Sequence, residues 1–258
     1  MQQHINRITD ILRRDDGISG AMHYTEQISW ILFLKFLDDF EESQRDAAEL
    51  DGLEYKYIID DTFRWSNWVH RDKKMFSGDD LKDFVNKELF PYLKGFRNVD
   101  ADYHSIKYKI GEIFFFLDNR IESGHTLREI LDIIDGMNFQ SQEDIFELSK
   151  IYEDLLQGMW NDWGNSWEFY TPRSIIKLIV DIVNPQIGQT VYDPAAGSCG
   201  FLIEAFNHIR PQVKTDSELE FLGKHTFFGN EKAPLAYILG VMNMILHGVH
   251  NPNISKVN

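Results

Sequence analysis

The sequence predicts an α-helical N-terminal domain followed by the start of a doubly wound α/β domain. Three features carry this expectation. Apolar residues recur at helical spacing with no clear strand as far as Trp160, and helices then alternate with strands in the order α-β-α-β-α. A turn of small residues, Asp193-Pro194-Ala195-Ala196-Gly197-Ser198-Cys199-Gly200, sits between a β-branched entry and an apolar helical run.

Glu26–Leu50 predicts a long amphipathic helix with Ile28, Leu32, Phe36 and Phe40 on one side. Its acids Asp38, Asp39, Glu41 and Glu42 are expected at a solvated helix end. Tyr55–Phe76 is expected to be an irregular loop whose tryptophans Trp65 and Trp68 pack on the helices rather than stack on bases. Asp79–Leu93 and Ser105–Asn119 are helical in pattern, and Phe114-Phe115-Phe116 is too apolar to face solvent. Leu127–Met137 and Glu143–Trp160 complete the helical set, the latter with a stripe of Ile145, Leu148, Tyr152, Leu155, Leu156 and Met159. Asn161–Trp167 has loop composition, so the expected domains are 1–160 and 161–258.

Thr171 before Pro172 marks the next helix, with threonine as the cap and proline at the first helical position. This helix carries Ile175, Ile176, Ile179 and Ile182 and stops at Asn184-Pro185. Thr190–Asp193 follows as a strand, then the small-residue turn and a helix over Phe201–Ile209. A polar connection, Pro211–Glu220, leads to a second strand over His225–Gly229, ending at Asn230-Glu231. Pro234 opens a helix that runs to His247 and is closed by Gly248. Strands joined through helices imply a parallel sheet.

A single cysteine excludes an intrachain disulfide and favours a reducing compartment. The segment MQQHINRITDILRRDDG lacks the apolar region of a signal peptide, and no apolar run approaches a membrane span. The expectation is a cytoplasmic protein with no membrane partner. The net charge is −15, of which −11 falls in residues 1–150, with 19 Lys/Arg against 30 Asp/Glu. Proteins that hold a phosphate backbone unaided carry a basic face. Here Arg13-Arg14 and Lys73-Lys74 are the main basic pairs, so any nucleic acid would be held chiefly by a partner or by a segment outside this sequence. His247 and His250 have no further ligand set around them, and no metal is expected.

Asp193 and Glu231 lie at the ends of successive strands. In nucleotide-binding α/β folds the acid after the second strand accepts from ribose hydroxyls, whereas the first acid either meets the ligand or caps its own turn. Dinucleotide sites place that second acid about 20 residues beyond a G-x-G-x-x-G turn. The turn here is G-S-C-G and Glu231 lies 38 residues beyond Asp193, which disfavours a nicotinamide-dependent oxidoreductase and leaves another adenosine ligand open.

The run D-P-A-A-G-S-C-G-F-L resembles the S-adenosylmethionine motif of amino-methylating DNA methyltransferases. With E-F-Y-T-P-R upstream and G-N-E-K-A-P-L-A-Y-I-L-G-V-M-N-M-I-L-H-G downstream, behind a helical domain, the chain resembles the modification (M) subunit of type I restriction-modification systems. That resemblance implies an incomplete class I S-adenosylmethionine-dependent methyltransferase (Rossmann-like) domain. It places the S-adenosyl-L-methionine site on Glu168, Phe169, Tyr170, Thr171, Pro172 and Arg173, then Asp193, Gly197, Ser198, Cys199 and Gly200, then Glu231. Arg173 would pair with the methionine carboxylate, Phe169 or Tyr170 would cover the ligand, and Cys199 stands where the family often has a smaller residue. The resemblance further implies adenine-N6 methylation of DNA in a complex with a specificity subunit, a second M subunit and the restriction subunit. Such enzymes use an Asn/Asp-Pro-Pro-aromatic motif to hold the flipped adenine. Neither Asn184-Pro185-Gln186 nor Asn251-Pro252-Asn253 matches, so the motif is expected beyond Asn258 and no catalytic residue is assigned within the chain. The alternative expectation is a module that serves mainly in assembly, its acidic, aromatic-rich helices docking the other subunits.

Overall fold

The structure, a computed structural model, describes residues 1–70, 78–99, 103, 105–139, 141–162, 171–249 and 251–257, without the side chains of 99, 142 and 156–162. The chain packs as two compact units, Met1–Gly95 with Leu117–Ile151, and Phe96–Phe116 with Tyr152–Asn258.

The first unit is helical. Helix α1 (Gln2–Leu12) buries Ile5, Ile8 and Leu12, an i, i+3, i+7 stripe that the sequence expectations above did not include. Helix α2 (Ala21–Leu50) is longer than expected and is buried almost all round between Ile28 and Leu37, rather than along one stripe. The acids near its middle are also inside: Asp38, Asp39 and Glu41 are buried, which corrects the expected solvated end. Each has a partner, because an unpaired buried charge is costly. Lys35 Nζ lies 2.7 Å from Asp39. The Arg64 guanidinium pairs with Glu42 and Asp38 and stacks 3.8 Å over the Tyr57 ring. Glu41 accepts from the Ile58 N–H at 2.5 Å.

After a 3₁₀ turn at Asp61–Phe63, the expected loop contains a short helix α3 (Trp65–Trp68), whose two indoles are buried as packing residues. Helix α4 (Asp79–Phe84) runs through a π-helical turn (Val85–Leu89) into α5 (Phe90–Val99).

Helix α6 (Ile106–Phe115) lies in the second unit and α7 (Gly124–Asp135) in the first, each capped by the hydroxyl of the preceding serine. Phe114 is buried as expected, but Phe115 is 54% exposed, its ring covered by the Arg97 guanidinium at 4.2 Å. Helix α8 (Gln142–Asp162) begins in the first unit and ends in the second. Lys73, Lys74, Trp163, Trp167 and the side chain of Trp160 lie outside the described residues.

In the second unit, α9 (Arg173–Val183) starts one residue later than expected. Pro172 is the cap position, its carbonyl accepting from the Ile175 N–H, and no side chain caps it. Strand β1 (Val191–Asp193) enters the small-residue turn, and α10 (Gly200–Ile209) leaves it. After a 3₁₀ turn at Arg210–Gln212, the expected polar connection forms α11 (Asp216–His225), opened by a capping box between Thr215 and Glu218. Strand β2 (Phe227–Glu231), helix α12 (Pro234–Leu246) and a further strand β3 (Asn253–Lys256) follow. The sheet is parallel in the order β1-β2-β3, with Asp193 opposite Gly229 and Ile254 next to it, as the crossover pattern predicts. No described helix is long and apolar enough to cross a membrane.

Candidate functional site

At the carboxyl ends of β1 and β2 the chain folds into one compact knot of hydrogen bonds. Asp193 Oδ1 accepts from Ala195 N–H at 3.0 Å, so this acid caps its own turn. The Ala196 N–H donates to the Asn230 carbonyl at 2.9 Å and stitches the turn to β2. Glu231 completes the fastening: Oε2 accepts from Gly197 N–H at 2.7 Å, and Oε1 from the Lys232 and Ala233 N–H groups at 2.8 and 2.7 Å. Glu231 thus sits beside the turn despite its distance in sequence, because parallel pairing puts both strand ends at the same level.

Two turn residues have left-handed backbone. Gly197 adopts φ 52°, where the absence of a Cβ removes the steric penalty. Cys199 adopts φ 62° as the N-cap of α10, a conformation uncommon for a residue with a side chain. Its Sγ is fully buried, and burial pushes the thiol pKa up, which removes it as a nucleophile and leaves it as a small packing residue.

A hollow of about 120 Å³ lies over this turn. It is lined by the small residues Ala195–Ser198 and Gly200, by Thr171, Ile176 and Phe201, and by charged residues of both signs, Glu153, Asp193 and Arg173. The Arg173 guanidinium pairs with Glu153 and donates to the Gly200 carbonyl at 3.3 Å. Burial lowers its pKa, and Glu204 opposes that shift.

Of the residues expected in the site, Thr171, Arg173, Asp193, Gly197, Ser198 and Gly200 line the hollow, while Glu231 and Cys199 brace the turn. Pro172 caps α9. Glu168, Phe169 and Tyr170 lie outside the described residues. Glu153 was missed from sequence, because only the fold buries this acid and sets it against Arg173. His247 has its Nδ1 2.9 Å from the Asn243 carbonyl, and burial lowers its pKa; His250 lies outside the described residues.

Comparison with known proteins matches both halves of the chain. The family model "HsdM N-terminal domain" covers residues 1–134, and "N-6 DNA Methylase" covers 141–258. The EcoEI type I restriction enzyme methylase subunit of Escherichia coli is 32% identical over 249 residues, spanning 96% of this chain and 49% of that one. The EcoKI methylase subunit of Escherichia coli K12 is 28% identical across 92% of this chain and 41% of its own length. The chain therefore spans about half the length of the curated relatives it matches. Among solved structures, a modification subunit assigned to a type I restriction enzyme of Vibrio vulnificus YJ016 superposes over all of this chain and 55% of its own, with TM-score 0.89 and 35% identity. A chain from a type I restriction-modification assembly superposes with TM-score 0.76 and 39% identity, over all of this chain and half of that one. A helical N-terminal part joined to part of a methyltransferase fold, with both family models matched in order, places the chain in the family of type I restriction-modification methylase subunits.

Proposed function

We propose that the β1–α10 turn binds S-adenosyl-L-methionine and that the chain forms the cofactor-binding part of a DNA adenine-N6 methyltransferase subunit. The observation that supports this most is the charge arrangement around the hollow. Glu153 and Asp193 stand with Arg173 beside a small-residue backbone, which suits the ammonium and carboxylate of an amino-acid ligand. At about 120 Å³ the hollow takes only the amino-acid end, since sites for whole drug-sized ligands run to about 300 Å³ or more. Arg173 would orient the carboxylate by exchanging part of its pairing with Glu153. Glu231, already at the turn, has lone pairs left for ribose hydroxyls. The bound cofactor supplies an electrophilic methyl group; these residues of the chain hold and aim it. Phe169 and Tyr170 would cover the ligand, as the family pattern implies.

Calorimetric titration with S-adenosylmethionine and its demethylated product tests the assignment. Wild type should bind, and Glu231→Ala should weaken binding by at least about tenfold, the scale of lost charge-assisted hydrogen bonds. A folded wild type that binds neither ligand sinks the assignment, and preferential binding of a nicotinamide dinucleotide would favour the oxidoreductase alternative.

The same subunit would act on DNA together with a specificity subunit, a second modification subunit and the restriction subunit. The acidic excess of residues 1–150 favours an assembly role for the helical part, facing a basic partner surface. Co-purification with a cognate specificity subunit should weaken as salt rises; salt-independent binding would remove the electrostatic component.

A further inference from the structure

We propose that Gly240 and Asn243 of α12 are positioning residues for the turn, holding the peptides of residues 197–199 so that the Ser198 N–H faces the hollow. The proposal rests on the cofactor assignment above for its ligand, but its structural basis is independent of it.

Every residue of α12 from Leu235 to Leu246 is buried. In this apolar run Asn243 is fully buried, and its Nδ2 donates to the Ser198 carbonyl at 3.1 Å. One turn earlier, Gly240 lets the helix touch the neighbouring peptide. A methyl at Gly240 would come 2.6 Å from the Gly197 carbonyl oxygen and 2.9 Å from Cys199 Sγ, both closer than an ordinary Cβ contact. Two successive carbonyls of the turn are therefore held against one face of α12.

In a trans peptide the N–H lies opposite the C=O. Pinning the Gly197 carbonyl against α12 consequently turns the Ser198 N–H away from the helix, and Gly197 and Ser198 both line the hollow. The next N–H, of Cys199, is committed to the Ala196 carbonyl at 2.7 Å. The left-handed Cys199 is kept in that conformation by the buried seat of its Sγ beside Gly240. Gly240 supplies the space and Asn243 the hydrogen bond, and neither residue lines the hollow.

The test compares Gly240→Ala and Asn243→Ala with Met242→Ala, a buried residue that by helical spacing faces away from Gly240 and lies on a different face of α12 from Asn243. Three quantities are read: thermal stability, hydrogen exchange of the peptide covering residues 195–201, and affinity for S-adenosylhomocysteine. Alanine in place of a helical glycine ordinarily stabilises. Here Gly240→Ala is expected to speed exchange across the turn and weaken affinity on the order of tenfold, the scale of one lost buried hydrogen bond. Asn243→Ala should do the same, whereas Met242→Ala should lower stability with affinity kept within about twofold. If Gly240→Ala does not fold, Asn243→Ser serves in its place, since the shorter side chain cannot span to Ser198. Unchanged exchange and affinity in both turn-facing variants, or equal losses in Met242→Ala, overturn the proposal. A wild type without affinity, together with faster exchange at the turn in the variants alone, overturns the cofactor assignment and leaves the positioning role supported.

Discussion

Glu41 shows how much one side chain can depend on its surroundings. It is 1% exposed, and burial raises its carboxyl to about 7, against hydrogen bonding from the backbone and the Arg64 charge. Its pKa is higher folded than unfolded, where the ordinary value is 4.5. The folded state therefore keeps a proton that the unfolded chain has released. Its contribution to stability is complete below pH 4.5 and is lost as pH rises towards 7. In Glu41→Gln, whose amide oxygen still accepts from Ile58 N–H, urea midpoints should fall less between those two pH values than in wild type. Equal slopes for the two proteins would refute a raised Glu41 pKa. Nothing in the acid run of the sequence distinguishes Glu41 from Glu42; only the chain folding back at Tyr55–Ile59 buries one and leaves the other partly in water. Asp193 and Glu231 were legible by contrast, because strand ends and turn residues are announced locally.

Among the elements, most of those with strong local signals were found, with α11 the exception, and those decided by packing were not. The β1–turn–α10 unit and α12 follow from a β-branched run, small residues and a helix-opening proline. Helix α11 stands where a polar connection is expected, and Thr215 and Glu218 open it with a capping box in which each side chain accepts from the other's backbone N–H. Thr215→Ala should therefore cost about 1 kcal/mol of unfolding free energy by chemical denaturation. A change near zero would mean that burial of Leu222 alone holds α11. Strand β3 has few β-branched residues and is a strand because the open edge of β2 accepts it, with Ile254 beside Gly229. Helix α2 shows the reverse: its apolar content was plain, but burial on nearly all sides depends on the number of neighbours, which periodicity does not report.

For the molecule as a whole, the decisive feature is that the compact units interleave in sequence, with Phe96–Phe116 packing alongside Tyr152–Asn258. Lys109 on α6 makes this attachment chemically specific. Its Nζ donates to the Ile254 carbonyl at 3.0 Å and to Glu112 at 3.1 Å, and Glu112 also accepts from the Tyr237 hydroxyl at 2.5 Å. Burial, then Glu112, pushes the Tyr237 pKa up, so the phenol remains a donor. Lys109→Ala should destabilise by about 1–3 kcal/mol, because it leaves a buried carbonyl and part of a carboxylate unsatisfied. Faster hydrogen exchange should be confined to α6, β3 and the start of α12; acceleration spread through residues 1–95 would contradict the division into units. At the opposite edge of the sheet, β1 has no further partner among the described residues. Beside it α9 exposes Leu178, Ile182 and Val183, an apolar face that makes concentration-dependent association a property to expect of the isolated chain.

By itself the sequence determined the helical character of the N-terminal part, the parallel α/β character after residue 171, and the turn that gathers Asp193, Gly197 and Ser198. Each is encoded within a few residues, by helical spacing, strand-ending acids and small-residue turns. The tertiary structure alone decided that Glu153 pairs with Arg173, that Gly240 and Asn243 brace the turn, and that α6 joins the sheet-bearing unit. Those outcomes depend on which surfaces meet across long stretches of chain, and a buried charge or amide acquires its role only from the partner that burial forces on it.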